Sequence, residues 1–254
     1  MTALTQDAFL GGRLTVQQPA EGYRAGADPV LLAAAVPAVA GESALELGCG
    51  AGVAMLCLLC RVPGLSVTGV ERDPDMAALA RENLALNGLE AEVAVADIAA
   101  PPAKLRARSF DHVLMNPPFF DRLRGSISEH AGREAGRGEE TPFAVWVDAA
   151  VRRLGPRGRL TMIQRAERLS DCLAAIGSRL GGVTVLPLAP REGRAAKLVL
   201  ITARKGTWAT FRLAAPFVLH EGPRHEDGAG GYAPAARRIL RDGEGLDIEG
   251  LIPS

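Results

Sequence analysis

The sequence predicts an α/β fold: an open, mostly parallel sheet of seven strands with helices on both faces, a reversed hairpin near its end and a small N-terminal extension. Three observations carry this. Short apolar runs alternate with stretches of helical period from residue 44 to about residue 180, the pattern of successive strand-helix units. Turn-forming or acidic residues close these runs one after another, at Gly48, Glu71, Asp97 and Asn116. Two further runs, 183–188 and 196–203, have no helix between them and so should pair antiparallel. With 254 residues, 48% of them hydrophobic, the chain has ample material for such a core.

Taken in order, Phe9 to Gln18 alternates apolar and polar residues around Gly11-Gly12, a hairpin pattern. The stretch from Gly22 to Ala27 is a glycine-rich turn. It leads into Asp28-Pro29, read as a side-chain cap followed by proline at the first helical position, and into a helix Val30 to Val36. A strand from Ala44 then meets glycines at alternate positions, Gly48, Gly50 and Gly52, before a helix Val53 to Cys60. Such glycines let a backbone approach a ligand closely, and they also make tight strand-to-helix turns.

A second strand, Ser66 to Val70, ends in Glu71, and a helix from Asp75 to Leu86 closes at Asn87-Gly88. Glu71 follows the glycine turn by about 20 residues, the spacing at which an acidic side chain takes ribose hydroxyls. The third strand, Ala91 to Ala96, ends in Asp97, and the fourth, Asp111 to Met115, runs into Asn116-Pro117-Pro118-Phe119. Residues 120–142 show no apolar period and carry Arg122, Arg124, Arg133 and Arg137. Connections this long are usually functional or disordered. Helices are expected over Phe143 to Leu154 and Ala166 to Leu180, the second stopping at Gly181-Gly182, with a fifth strand, Gly158 to Ile163, between them. The final hairpin holds Arg191 and Arg194 in its turn, and a last helix is expected over Pro234 to Arg241.

Formal charge is balanced, 29 basic against 29 acidic residues, so any nucleic-acid binding must come from local patches. No apolar run reaches membrane-spanning length and the start lacks a secretory pattern, which reads as a soluble cytoplasmic protein. Cys57 and Cys60 lack a second pair to complete a zinc site and read as buried helical thiols. His220 and His225, near Glu221, Glu226 and Asp227, lack ligand spacing and read as a surface loop. No metal is expected.

Asn116 offers an amide carbonyl, and Pro117 a backbone C=O on a chain of fixed φ. Phe119 offers a flat apolar face. Two acceptors and a ring make a seat for a planar amide or amino nitrogen. If both N–H bonds are held, the lone pair can turn out of plane toward an electrophile, so rate comes from positioning without a strong base. A bare Pro-Pro also reads as a stiff loop, so the surrounding residues decide.

Glu46-Leu-Gly48-Cys-Gly50-Ala-Gly52, Glu71, Asp97 and Asn116 to Phe119, in that order, resemble the class I S-adenosylmethionine-dependent methyltransferases that act on planar nitrogens, a Rossmann-like family. The likeness spans residues 22 to 203. Within it the chain is most similar to the bacterial tRNA (adenine-N6)-methyltransferases that act on a valine tRNA, a likeness supported by Gly22 to Asp28 and the segment around Trp208 to Leu240.

The resemblance implies S-adenosyl-L-methionine as cofactor. Gly26, Asp28, Glu46, Gly48 and Gly50 would border its methionine part, with Gly52 completing the turn, Glu71 on the ribose, Asp97 on the adenine amine and Asn116 adjoining. Asn116, Pro117, Pro118 and Phe119 would form the catalytic quartet. The partner would be tRNA or rRNA, with Arg122, Arg124, Arg133, Arg137, Arg191 and Arg194 as candidate phosphate contacts. The expected organisation is an N-terminal extension (1–43), a methyltransferase core (44–207) and a C-terminal extension of the same domain (208–254).

Other readings stay open. The same quartet serves enzymes that methylate guanine in ribosomal RNA and others that methylate glutamine in release factors, although only about 43 residues precede the first strand here, where the latter typically carry a helical domain. A non-catalytic RNA-assembly factor is a further reading. A nucleotide dehydrogenase would explain the glycine turn and Glu71 but not Asp97 or the quartet.

Overall fold

The computed structural model describes residues 3–22, 24–118, 141–222 and 231–251. The hairpin forms with arms longer than the alternation suggested: β1 (Leu4–Phe9) pairs antiparallel with β2 (Leu14–Pro19). Gly11 turns between them with φ +67°, and an added Cβ there would lie 2.8 Å from the Arg241 carbonyl. The turn therefore sits directly on the last helix.

The seven expected strands are β3 (Ser43–Leu47), β4 (Ser66–Glu71), β5 (Glu92–Val95), β6 (Phe110–Met115), β7 (Leu154–Arg165), β8 (Leu180–Ala189) and β9 (Leu198–Lys205). Two-residue strands β10 (Arg212–Leu213) and β11 (Phe217–Val218) also pair with β8. The sheet order is β10-β8-β9-β7-β6-β3-β4-β5. Strands β3 to β7 are mutually parallel. In the terminal hairpin β9 is the reversed strand, antiparallel to β7 and to β8, so β8 points with the others.

Both faces of the sheet are covered, as its continuous apolar runs require. Alternate residues feed two cores. Leu114, Ile163 and Leu200 join the helices α1 (Asp28–Ala35) and α2 (Val53–Arg61). Val113, Met115, Leu160 and Ile201 join α5 (Phe143–Arg153) and α6 (Leu169–Ile176), which follow α3 (Pro74–Leu86) and a short α4 (Ala103–Arg106) that the sequence pattern did not reveal. A last helix, α7 (Pro234–Asp242), packs against α1 and the hairpin turn.

The N-terminal hairpin is held by two asparagines one helical turn apart on α3. Asn83 accepts from the Gln17 N–H at 2.8 Å and donates to the Gln17 carbonyl at 2.9 Å, and Asn87 treats Thr15 in the same way at 2.9 and 2.8 Å. The two amides thus stand in for a neighbouring strand and satisfy the edge of β2. Asn83 also donates to the Ala51 carbonyl at 3.0 Å, tying the hairpin to the glycine turn.

One expected boundary moves. The helix anticipated over Ala166 to Leu180 is a short 3-10 turn and then α6, ended by Gly177 at φ +53°. Gly181-Gly182 lies inside β8 at a register shift, and an added Cβ on Gly181 would lie 2.0 Å from the Thr207 carbonyl. Close approach of another chain segment, and not a helix stop, accounts for that pair. Among the described residues no helix is long and apolar enough to cross a membrane.

Candidate active site

Chain order reverses between β3 and its neighbour β6, because β3 leads through α2 to β4 on its other side. A crevice therefore opens outside the carboxyl ends of β3 and β6. A cleft lies there, lined by Glu46, Gly48, Gly50 and Asn116 together with Gln18, Ala25, Pro29 and Met76.

The glycine turn is fixed from beneath. Gly48 and Cys49 both donate to the Val70 carbonyl, at 2.8 and 3.0 Å. Gly48 has φ +68°, and a Cβ there would lie 2.5 Å from Cη2 of Trp146 on α5. Gly52, at φ +85°, occupies the cap position of α2. At Gly50, φ +52°, the nearest atom to an added Cβ is Met76 Cε at 3.9 Å, so this turn residue faces open cleft.

Glu46 is the one charged residue in the apolar strand β3 and is 4% exposed. Burial pushes its carboxyl up to about 8, the nearby Glu71 charge adds to this, and a hydrogen bond from the Met55 backbone opposes it. Its Oε2 has no hydrogen-bond partner. A buried, unpartnered carboxylate oxygen on the cleft wall, repelled by a second carboxylate, makes this a seat for a cationic group.

Stability should record the strain. The folded state holds the Glu46 proton more tightly than the unfolded chain, whose ordinary value is 4.5. This group therefore withdraws stability as pH rises from about 4.5 through about 8, and the loss is complete above that. Glu46→Gln should melt several degrees above the parent at pH 8.5, and the difference should vanish near pH 4. Equal melting shifts at both pH values would contradict a strained Glu46.

Glu71, at the end of β4, accepts from the Gly50 N–H and from the Asp73 N–H, each at 2.9 Å, and so braces the glycine turn against the start of α3. Asp97 is exposed beyond β5 and closes a local turn by accepting from the Ala99 N–H at 2.8 Å. Gly26 and Asp28 flank the cleft through Ala25 and Pro29, and no atom lies within 4 Å of a Cβ added to Gly26.

Asp28 is not the side-chain cap expected from sequence. Ala27 takes that place with helical φ/ψ, so Asp28 projects from the first turn and makes no capping bond. Partial burial pushes its carboxyl up, and Arg165 draws it back.

Asn116 and Pro117 follow directly on β6, Pro117 buried and Pro118 exposed. The Pro117 carbonyl accepts from Nε2 of Gln164 at 3.4 Å, and Gln164 Oε1 accepts from the Arg165 N–H at 2.8 Å. Gln164 is fully buried on β7 and sets the plane of that carbonyl from the side away from solvent. Phe119, Arg122, Arg124, Arg133 and Arg137 lie outside the described residues, as do His225, Glu226 and Asp227. Arg191 and Arg194 stand in the β8–β9 turn at the same end of the sheet. Arg191 bonds the Glu221 and Gly222 carbonyls, while Arg194 is exposed. His220 stacks on Tyr232 at 4.9 Å within an isolated bridge. Burial pushes the Cys57 thiol far up. Among the described residues no group of three or more His, Cys, Asp or Glu is placed to hold a metal ion.

Sequence reading missed Gln18, Trp146 and Gln164. Gln18 grips the turn that crosses the cleft, accepting from the Ala25 N–H at 2.7 Å and donating to the Ala25 carbonyl at 3.4 Å. The available signal was polarity out of place: Gln18 follows Leu14 and Val16 on one face of its strand, and Gln164 follows Leu160 and Met162 on one face of its own. Trp146 carried none, since a helix facing a core favours any large apolar residue.

The chain is similar to known proteins along most of its length. It is 33% identical over 203 residues to the tRNA1(Val) (adenine(37)-N6)-methyltransferase of Porphyromonas gingivalis, covering 71% of this chain and 76% of that one. Its fold matches that of a predicted O-methyltransferase of Agrobacterium tumefaciens with a TM-score of 0.68 and 29% identity, over 86% of this chain and 97% of that one. It also matches the 16S rRNA N2 G1207 methyltransferase of T. thermophilus in complex with AdoMet and guanosine, with a TM-score of 0.58 and 22% identity, over 80% and 50%. The methyltransferase small domain model matches residues 26–186, the stretch that supplies most of the cleft lining, and the chain belongs to this methyltransferase family.

Proposed function

We propose that the chain is an S-adenosyl-L-methionine-dependent N-methyltransferase acting on the exocyclic N6 amine of an adenine in a tRNA anticodon loop. The observation that carries this reading is the pair of acceptors, the Asn116 side chain and the Pro117 carbonyl, at the carboxyl end of β6, with Asn116 lining the Glu46 cleft. The name of the Porphyromonas gingivalis relative supports tRNA adenine as the acceptor, while other relatives are named as ribosomal RNA small subunit methyltransferases.

The cofactor fits the residues present. Its methionine ammonium suits the buried, unpartnered Glu46 oxygen, and its bulk suits a turn whose Gly50 leaves space beside Met76. Gly26, Asp28, Gly48 and Gly52 shape the same wall, Glu71 is assigned the ribose and Asp97 the adenine amine. When bound, the cofactor supplies an electrophilic methyl group on a sulfonium.

The chain's own residues do the rest. Asn116 Oδ1 and the Pro117 carbonyl accept the two N–H bonds of the target amine and turn its lone pair toward the methyl group. Gln164 holds the Pro117 carbonyl in place. Phe119 is assigned the stacked face of the base, and Pro118 stiffens the segment. The amine proton released on transfer passes to solvent, since neither acceptor is a base. A base in a loop is already partly unstacked, which lowers the cost of flipping by a few kcal/mol. Arg122, Arg124, Arg133, Arg137, Arg191 and Arg194 are assigned phosphate contacts, with Arg191 keeping its backbone ties.

Transfer of labelled methyl groups to purified tRNA, against ribosomal RNA, tests the reading. Label in tRNA adenine is expected. Label in a ribosomal guanine would favour the guanine-N2 alternative, and no label in either would end the RNA reading.

A further inference from the structure

The segment between β9 and β10 keeps large apolar side chains in solvent. Trp208 is 92% exposed, Phe211 53% and Leu213 62%. This is not slack chain. The Thr207 carbonyl sits so close to Gly181 that no Cβ fits there, and the Ala209 carbonyl accepts from the Gly182 N–H at 2.9 Å. Trp208 is therefore presented outward by a backbone pinned on both sides of it, at a sheet edge remote from the cleft: Arg212 and Leu213 pair with Thr184 and Val185, in the first half of β8.

The chain on either side of it is basic. Between residues 193 and 220 the chain holds five basic residues and no acidic one. At this end of the sheet Arg212, Arg157 and Arg179 are exposed, and Arg204, partly exposed, bonds the Arg157 carbonyl at 3.1 Å. The acidic neighbours are already engaged, Asp148 by Arg152 and Arg179, and Glu249 by Arg159, the cross-strand partner of Arg204. Exposed rings beside the guanidinium groups of Arg212 and Arg157, unpaired among the described residues, fit the bases and phosphates of an unpaired nucleic-acid strand. They fit an apolar protein surface poorly, because such a partner would leave those charges desolvated.

We infer that Trp208, Phe211 and Arg212 form a second RNA contact, which stacks a base of an unpaired segment on Trp208 and holds its phosphate with Arg212, away from the reacting base. The inference takes its partner class from the proposed RNA substrate, but its readout is binding and needs no turnover. The contact would hold the RNA at two points about 20 Å apart, since the register sets Arg212 level with Leu114 and four strand spacings separate β10 from β6. Its loss would raise KM and spare kcat.

The test uses the full chain and a single-stranded RNA of about 12 nucleotides. Trp146 is buried, so the exposed part of the tryptophan fluorescence belongs to Trp208. RNA should quench it. Trp208→Ala should weaken binding about tenfold, while Trp208→Phe retains most of the affinity, and Arg212→Ala should flatten the salt dependence by nearly one unit of slope. Unquenched fluorescence at saturating RNA, or unchanged affinity in Trp208→Ala, overturns the contact. A dimer by sedimentation that Trp208→Ala dissolves, with RNA affinity unchanged, overturns it in favour of a second copy. If RNA quenches Trp208 but receives no methyl group, the proposed function fails and this contact stands. If Trp208→Ala methylates tRNA at the parental KM, the contact fails and the function stands.

Discussion

Asn116→Ala is expected to slow methyl transfer by roughly two to three orders of magnitude, the loss typical of removing one preorganised polar group from a transition state. The effect should fall on kcat. In the proposed reaction both acceptors would act on an amine whose lone pair is delocalised, gaining strength only as that lone pair is drawn out of plane. Cofactor affinity should change little, because Glu46 and the glycine turn hold the other end of the cleft. The useful contrast is Gln164→Ala. It leaves the Pro117 carbonyl in the chain but removes its buried partner, so it should cost less in kcat and nothing in cofactor affinity. Calorimetric titration of the cofactor beside single-turnover rates separates the two terms. An Asn116→Ala enzyme that transfers methyl groups at the parental rate would remove Asn116 from the chemistry.

Gly48→Ala should be strongly damaging for the change of a single methyl. Two costs add. The backbone sits at φ +68°, where a side chain costs about 1–2 kcal/mol, and the new methyl would lie 2.5 Å from the Trp146 ring, an overpacking worth roughly 1–3 kcal/mol more. A total of about 2–5 kcal/mol is a large share of the stability of an ordinary domain. The two parts can be told apart. In a Trp146→Leu background the steric part should disappear while the backbone part persists, so the penalty for Gly48→Ala should fall by about half. Chemical denaturation of the four proteins in that cycle measures it. An undiminished penalty would mean that Trp146 does not shape the turn.

These two residues mark how far the sequence could be read. The place of Asn116 on the cleft wall was legible because an apolar run leads straight into it; the prolines alone read as a stiff loop, and the order of Gly48, Glu71 and Asp97 gave the amide its setting. Gly48 was legible as a turn glycine, but its ring partner was not, since Trp146 comes from a helix about a hundred residues later and core helices accept many apolar residues. Gly181-Gly182 was misread for a related reason. Paired glycines after a helical run usually stop a helix, and only the fold shows that Thr207 crosses there. Asp28 was read as a cap from its place before proline, although Ala27 had already entered helical geometry. Three amide side chains that tie the structure together, Asn83, Asn87 and Gln164, answer backbone groups distant in sequence, and nothing local announces those partners.

Nucleoside mass spectrometry of tRNA and ribosomal RNA from cells lacking this gene, with and without its restoration, tests the central proposal most directly. One N6-methyladenosine should vanish from tRNA, return with the parental gene and stay absent with Asn116→Ala. Unchanged tRNA, with an N2-methylguanosine lost from ribosomal RNA instead, would contradict it.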